Sequence, residues 1–489
     1  MTDDLSDADR RTRWRAFAVC VAVASLTILD LSKVNVGLPA IEEALGAGPT
    51  DLQLIVAGYA LAFGLVLVPA GRYGDLHSRR RMFLIGLSVF AAASLVCAIA
   101  PTTLVLIVAR ILQGIAAGIL MPQVLGLIQQ LFVGPERGKA FGLFGAIIGL
   151  STAFGPTLGG LLIAIGGSET GWTLLFWMNV PLALILLPVA AKLLPRTQPQ
   201  AAGAHSLDPI GIVLLAFAVL GLMLPFVLTT GSPSDDPARW WLLLVFAVFG
   251  ALFVMWEGRY SRRGETPVVD FSLFRISGYR YAILIGTSYF AAMPATFLTL
   301  TLFVQQGLGL EPVYAGMITI PFALASAVSS WWSGRHVERY GRVLVVAGLV
   351  LVVVGFAANS ILAAIVPPEV APFAMAGAML IAGAGGGAVI SPNQTLMLAD
   401  VPVASGGVAG SIGQLGQRIG TAVGLAAATA TFYATVYSET GTTSDLAVYH
   451  DAYRNSTIVT IAFVAAALLF ALLDVRARRT QGVGGRRAR

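Results

Sequence analysis

Ile28-Leu29-Asp30-Leu31-Ser32-Lys33-Val34-Asn35-Val36-Gly37-Leu38-Pro39 closes an apolar run that starts at Ala16 and is long enough to cross a bilayer as a helix. The stretch carries an acid and a base three residues apart, a spacing that places them on one helical face. An ionised side chain near the middle of a spanning helix costs roughly 2.5 to 3.5 kcal/mol on insertion scales, so such residues face a polar cavity or a partner. The stretch therefore reads as a functional site inside a membrane bundle.

The rest of the chain shares this character. Of its 489 residues 57% are hydrophobic and only 11% charged, far too apolar for the surface of a soluble protein of this size. A polytopic membrane protein follows. The formal charge of +6 does not point to nucleic acid, because the basic residues sit in short clusters between apolar runs and form no single patch. Both cysteines, Cys20 and Cys97, lie inside apolar runs, which argues against a disulfide framework or a thiolate metal site and leaves packing as their role. Arg10, Arg11, Arg13 and Arg15 before an apolar run imitate a signal peptide, but the run reaches Leu38, contains Asp30 and Lys33 and offers no convincing small-residue cleavage site. An uncleaved first span is expected.

Windows of about 20 apolar residues fall near 16–38, 52–73, 82–100, 104–128, 140–163 and 174–194, then 209–228 and 240–257, then 281–304, 313–332, 343–365, 373–398, 406–433 and 457–473. The pattern is six, two, six. The expected domains are a cytoplasmic N-terminus at 1–15, a six-helix bundle at 16–194, a linker region with two extra spans at 195–280, a second six-helix bundle at 281–475 and a cytoplasmic basic tail at 476–489. With the start inside, all but five of the 31 lysines and arginines fall on cytoplasmic segments: Lys33, Arg110 and Arg418 lie within spans, and Arg239 and Arg454 lie outside. Both termini are then cytoplasmic. Segment 195–207 is polar and ends in Asp208-Pro209, an N-cap followed by proline at the first helical position. Segment 258–279, with Arg259, Arg262, Arg263 and Arg275, is expected along the cytoplasmic face, and the Arg- and Gly-rich tail after Asp474 is expected to be disordered.

The two halves echo one another. Gly71-Arg72-Tyr73-Gly74-Asp75-Leu76-His77-Ser78-Arg79-Arg80-Arg81 after the second span has the layout of Gly334-Arg335-His336-Val337-Glu338-Arg339-Tyr340-Gly341-Arg342 after the tenth. In each, an acid follows the glycine by four residues and an arginine follows the acid by four. Gly114 to Pro122-Gln123 in the fourth span is echoed by Gly383 to Pro392-Asn393 in the twelfth. Weak internal repetition of this kind belongs to transporters built from two related bundles.

Taken in order, these motifs resemble those of the major facilitator superfamily, in its 14-span drug:proton antiporter branch, over essentially the whole chain. Gly71 to Arg81 is similar to that family's loop after the second span, and Leu106-Ile107-Val108-Ala109-Arg110-Ile111-Leu112-Gln113-Gly114 to its fourth-span motif. Gly155-Pro156-Thr157-Leu158-Gly159-Gly160 resembles the antiporter motif of the fifth span, and Asp30 to Pro39 the first-span motif of the branch. Trp172 to Pro181 is similar to the start of the sixth span, and Asp208-Pro209-Ile210-Gly211 to the start of the extra pair. The chain departs from the pattern at Lys33, where an apolar residue is more common, at Ser78, where the loop motif has glycine, and at Thr173, where arginine is common. The resemblance implies an all-α major facilitator fold of two pseudo-symmetric six-helix bundles plus two extra spans, 14 transmembrane helices in all. It also implies a conformational latch at Gly71, Asp75, Arg79 and Arg80, with Gly334, Glu338, Arg339, Gly341 and Arg342 as its counterpart.

Depth arithmetic links the first and fourth spans. Asp30 is 8 residues before Leu38 and Arg110 is 6 after Leu104, so at about 1.5 Å per residue they lie roughly 12 and 9 Å inward from the external ends. A buried polar cluster of Asp30, Lys33, Asn35, Arg110 and Gln113 on the inner face of the first bundle is therefore expected as the proton-coupling site and central cavity. A neighbouring guanidinium favours the carboxylate and burial favours the neutral acid, so cavity hydration could switch Asp30 between them. Plainer readings stay open: Lys33 could snorkel or only neutralise Asp30, and Arg110 could hold backbone carbonyls at a helix crossing. In the loop motif Gly71 admits a close helix, Asp75 can cap a helix N-terminus or pair with arginine, and Arg79 to Arg81 can bind phosphates. Gly155, Pro156, Gly159 and Gly160, with Gly145 and Gly149, suit a bent helix packed backbone to backbone. Tyr59, Asn179, Asn393, Gln394, Gln414, Gln417 and Arg418 are candidate cavity liners; each could instead make an interhelical bond, and Arg418 could anchor to headgroups.

Neither a zinc-protease helix motif nor a nucleophile elbow nor a phosphate loop occurs, and His77, His205, His336 and His450 fall in scattered loops, so neither a metal site nor an enzyme is expected. The expected function is proton-coupled secondary active export of small lipophilic compounds such as drugs or antibiotics, by alternating access. It would run on the transmembrane proton gradient with no cofactor, in the bacterial cytoplasmic membrane, as a monomer that binds no nucleic acid. An amphiphile transporter or lipid flippase of the same fold is the alternative. One deep acid stands against Lys33, Arg110 and Arg418, so dications are poorly matched, and neutral and anionic compounds fit equally.

Overall fold

In lipid every backbone N–H and C=O has to be satisfied within its own segment, so each long apolar run folds as a helix. The computed structural model describes residues 7–197, 208–229, 235–439 and 445–487. Among these residues lie α1 (Asp7–Leu45), α2 (Pro49–Leu76), α3 (Arg79–Ala98), α4 (Thr103–Leu131), α5 (Gly134–Trp177) and α6 (Asn179–Leu193). Next come α7 (Pro209–Val227) and α8 (Leu242–Arg262), then α9 (Ser277–Leu302), α10 (Pro312–Tyr340), α11 (Arg342–Ile365), α12 (Ala371–Met397), α13 (Gly406–Glu439) and α14 (Asp445–Arg487). Thirteen segments are long and apolar enough to cross a membrane, and the bent pair Gly134–Thr152 and Phe154–Gly167, taken as one span, makes 14. The six, two, six order is reproduced.

The bend in α5 has a local cause. Pro156 lacks an N–H and its ring crowds the carbonyl four residues back, at Thr152, which is where the helix turns by 40°. A second break follows at Gly167, whose φ of 76° is open to glycine at no steric cost. The chain there passes into the sixth span, Thr170–Leu193, which α5 begins and α6 completes.

Several expectations are corrected. The tail after Asp474, expected to be disordered, continues α14 to Arg487 as far as it is described, with five arginines favouring the helix against three glycines. His336 and His450 lie within α10 and α14 rather than in loops, and His77 directly follows α2. His205 and most of the 195–207 linker fall outside the described residues. Segment 258–279 holds the last turn of α8 and a short 3-10 helix, Phe271–Arg275, capped by Asp270. Ser78, where the resembled loop motif has glycine, accepts a hydrogen bond from the Arg81 N–H at 3.2 Å and so caps α3.

Two large apolar cores result, one gathering α1 to α6 with parts of α7, α8, α9, α12 and α13, the other α9 to α14, and a smaller cluster around Ile41, Leu106 and Trp172 joins α1 to α5. The halves meet where α2 lies along α13 and where α5 lies along α10 and α12. Hydrogen bonds that join them cluster at one end of the molecule, the basic face, which carries the α2–α3, α4–α5, α10–α11 and α12–α13 connections.

The extra hairpin sits against this seam. α7 packs on both α2 and α13, while α8 packs on α7 and leaves Leu244, Val248, Leu252 and Met255 exposed as a lipid-facing stripe. Asp208 pins its start: one carboxylate oxygen accepts from the Gly211 N–H at 2.9 Å and the other from the Trp256 indole at 2.6 Å. An N-cap of this kind contributes about 1 kcal/mol. Asp208→Ala is expected to raise hydrogen–deuterium exchange in the first turn of α7 roughly fivefold. Unchanged exchange there would mean that the cap does not hold the hairpin.

Candidate functional site

Five helices converge on one enclosed polar cluster. Asp30 and Lys33 from α1, Arg110 and Gln113 from α4, Ser94 from α3 and Asn179 from α6 are all at 0% exposure. Asp30 is the hub. One carboxylate oxygen accepts from Arg110 Nη1 at 2.6 Å, and the other accepts from Asn179 Nδ2 at 2.6 Å and stands 3.5 Å from Lys33 Nζ. Lys33 donates in turn to Asn179 Oδ1 at 2.6 Å, so the asparagine amide bridges acid and base. Arg110 also donates to Gln113 Oε1 at 2.8 Å and, from Nε, to the Ile55 carbonyl of α2 at 3.2 Å. Gln113 Nε2 donates to Ser94 at 2.7 Å, and the Cys97 thiol reaches Gln113 Oε1 at 3.5 Å. With all three groups ionised the cluster carries one net positive charge, held where a cation without a carboxylate is costly.

Small residues make the convergence feasible. A methyl on Gly159 of α5 would meet the Lys33 carbonyl at 2.8 Å, and Gly155 lies directly against Ser32. The bent α5 therefore lies flush behind the acid–base pair, while Pro156 supplies the bend and Gly160 faces open space. On α4, Gly114 lies against the backbone of Tyr59, which draws α2 in until the Tyr59 ring covers the Arg110 guanidinium at 4.4 Å. Tyr59 is thus a wall with Arg110 on one side. Its other neighbours are Thr27, Ile28, Leu31, Phe63 and Arg418, around a cavity of about 10 Å³ between the halves.

A second constellation closes the basic face. Asp75 accepts from the Gly407 and Val408 N–H groups at 3.1 and 2.9 Å, capping α13 of the opposite half. Arg79, four residues on, donates to the same carboxylate at 2.9 and 2.7 Å and to the Val403 carbonyl across the seam at 2.5 Å. Gly71 permits this approach, since any Cβ there would strike the Gly407 carbonyl at 2.8 Å. Gln129 donates to Leu398 and Val401, and Arg137 to Leu398, which extends the seam along α4 and α5.

Comparison with known proteins decides the family. The profile of the Major Facilitator Superfamily matches residues 16–425. The chain belongs to the Major Facilitator Superfamily. It is similar to the probable actinorhodin transporter of Streptomyces coelicolor, 32% identical over 418 residues that make up 84% of this chain and 72% of that protein. It is also similar to the puromycin resistance protein pur8 of Streptomyces alboniger, 31% identical over 486 residues, 96% of this chain and 93% of the relative. In fold it resembles the human organic anion transporter MFSD10, with a TM-score of 0.67 at 15% identity over 93% of this chain and 99% of that one. This facilitator is a multi-pass membrane transporter of small molecules and not an enzyme, with relatives named for antibiotic transport and resistance.

Within this facilitator several residues stand elsewhere than the sequence reading placed them. Asn35 is exposed and takes no part in the cluster; five residues from Asp30, it points about 140° away around α1. Asn179 is a full member of the cluster rather than a cavity liner. Arg79 is buried and faces Asp75, not lipid phosphate, and Arg80 donates to the Ala191 carbonyl at 2.5 Å. Arg81 alone of this trio is exposed.

The second half does not copy the latch. Gly334 reproduces the close approach, against Gly138 and Gly142 of α5, but Glu338 and Arg339 are exposed, and Glu338 makes no hydrogen bond or ion pair among the described residues. The start of α5 explains this: Pro135 has no N–H to offer, whereas α13 begins Gly406-Gly407-Val408 with free donors. Gly341, with a φ of 51°, ends α10 and turns the chain into α11. Arg342 then pairs within its own half with Asp474 of α14, and donates to Asn393 at 2.7 Å and to the Gly278 carbonyl at 2.8 Å. Asn393 therefore braces a helix end. Asp474 escaped the sequence reading, though a lone acid at the end of the last apolar run was a visible sign. Gln394 and Gln414 are buried and Gln417 is half-buried.

Proposed function

We propose that this chain is a proton-driven antiporter that exports small lipophilic compounds by alternating access of its two halves. The basic face lies in the cytoplasm under the positive-inside rule, and the chain works as a monomer in the bacterial cytoplasmic membrane, powered by the proton gradient and needing no cofactor. The observation that carries the reading is the Asp30–Arg110–Lys33 cluster: one carboxylate, two cations and a bridging amide, enclosed in one half only and separated from the space between the halves by the Tyr59 ring. A structural ion pair needs no such surplus of charge, whereas a group that changes protonation as its surroundings hydrate does. The bonds from the start of α13 to Asp75 support reading this conformation as one closed on the cytoplasmic side.

The test is purified protein in liposomes under an imposed pH gradient, with a fluorescent drug as cargo. Accumulation against the cargo gradient that collapses on adding a protonophore is expected. Simple equilibration that ignores the pH gradient would sink the reading. A second reading, movement of amphiphiles, draws on an open apolar groove of about 510 Å³ between α1, α5 and α6, lined by Trp14, Phe17, Val21, Leu143, Ile147 and Leu186. Labelled lipid in the same liposomes separates the two.

A further inference from the structure

Among the described residues Lys33, Arg110 and Arg418 lie deep within the spans, and the first two share the Asp30 carboxylate. Arg418 has none. Among the described residues it forms no ion pair and no hydrogen bond, and its Nε is shielded from solvent without a partner. The guanidinium lies over the face of Phe63, 4.7 Å from guanidinium carbon to ring centroid. A guanidinium stays ionised throughout the accessible pH range and offers five donors in a rigid fork. An aromatic face satisfies the charge weakly and none of the donors.

Its place in the fold bears on what would satisfy them. Arg418 comes from α13 of the second half, whereas Thr27, Ile28, Leu31, Tyr59 and Phe63, which enclose the same cavity, come from the first. The cavity thus lies across the seam that alternating access opens and closes. The Asp75 seal sits 11 residues nearer the basic face on α13, at Gly407, so the cavity lies on the unsealed side. At about 10 Å³ it holds one water-sized group, the size of a single carboxylate or phenolate oxygen, and its walls are otherwise apolar and aromatic.

We infer that Arg418 binds the anionic oxygen of the transported compound, and that this site takes hydrophobic monoanions whose apolar body rests on Ile28, Leu31, Tyr59 and Phe63. The inference rests on the exporter reading but is separable from it. The cargo supplies the carboxylate that the chain omits, and the guanidinium sets orientation while the aromatic walls supply affinity. Because Tyr59 touches both this cavity and Arg110, cargo charge and the Asp30 cluster are felt through one ring.

The experiment measures binding to the purified full chain in detergent, which needs no proton coupling. The probes are three compounds on one xanthene frame: the monoanion of fluorescein methyl ester, its uncharged methyl ether and cationic rhodamine 123. Wild type is expected to bind the anion at least about tenfold more tightly than the uncharged compound. Arg418→Gln is expected to erase that preference, weakening the anion about tenfold and leaving the uncharged compound unchanged, and Arg418→Lys to keep part of it. Equal weakening of all three probes in Arg418→Gln would mark a structural arginine and overturn the inference. So would a wild type that shows no preference for the anion. Failure of the exporter reading registers separately, as gradient-insensitive transport in liposomes.

Discussion

Asp30→Asn is expected to abolish gradient-driven accumulation while leaving exchange of cargo for cargo intact. A gradient of about 2 pH units supports roughly 100-fold accumulation for each proton exchanged, since one unit is worth about 1.4 kcal/mol. The variant is expected to fall to simple equilibration. Asparagine keeps the shape and one acceptor, but it leaves Arg110 and Lys33 enclosed with no carboxylate, and removing one partner of a buried pair costs about 3–5 kcal/mol. Folded yield should therefore fall too. A double variant, Asp30→Asn with Lys33→Met, removes the second uncompensated cation and is expected to recover yield without recovering accumulation. Accumulation by the double variant at the wild-type level would remove Asp30 from the mechanism.

The second large effect is expected at the latch. Asp75→Ala deletes both bonds that cap α13 across the seam and frees the Arg79 guanidinium that shares the carboxylate. Hydrogen bonds to a charged group are worth about 1.5–3 kcal/mol, which is roughly a 10- to 150-fold change in the balance between sealed and open forms. Spin labels at His77 and Ala399, exposed positions on opposite sides of the seam, would report the change as a shift from one short distance to a longer majority. The native Cys20 and Cys97 are buried, which leaves the labelling chemistry to the introduced sites. An unaltered distance distribution in Asp75→Ala would mean that the seam is held by Gln129, Arg137 and the glycine contacts instead.

How far these residues could be read from the chain follows from what periodicity carries. Apolar length fixed the number of spans, and counting residues from span ends put Asp30 and Arg110 at one depth, which their 2.6 Å contact matches. Depth says nothing about which helices are neighbours. Asn179 was visible as a polar residue in a span, but only the packing of α6 on α1 and α3 turns it toward Asp30 and Lys33. Asn35 was misplaced because nearness in sequence was taken over position around the helix. The loop motif was legible as an acid and an arginine one turn apart, and that pair is made at Asp75 and Arg79. Its echo was legible too, yet Glu338 stays free, because Pro135 at the start of α5 withholds the donor that Gly407 and Val408 provide at α13. Internal repetition records common ancestry of layout; whether a bond forms depends on the residue that faces it.

The central claim is that Asp30 and its two cations exchange a proton with cargo. Its most direct measurement is proton release by the purified chain in weakly buffered detergent solution when a binding cargo is added. Wild type is expected to release protons in proportion to cargo bound, and Asp30→Asn, binding the same cargo, to release none. Equal release from both proteins would contradict the account, since the proton would then come from a group outside the cluster.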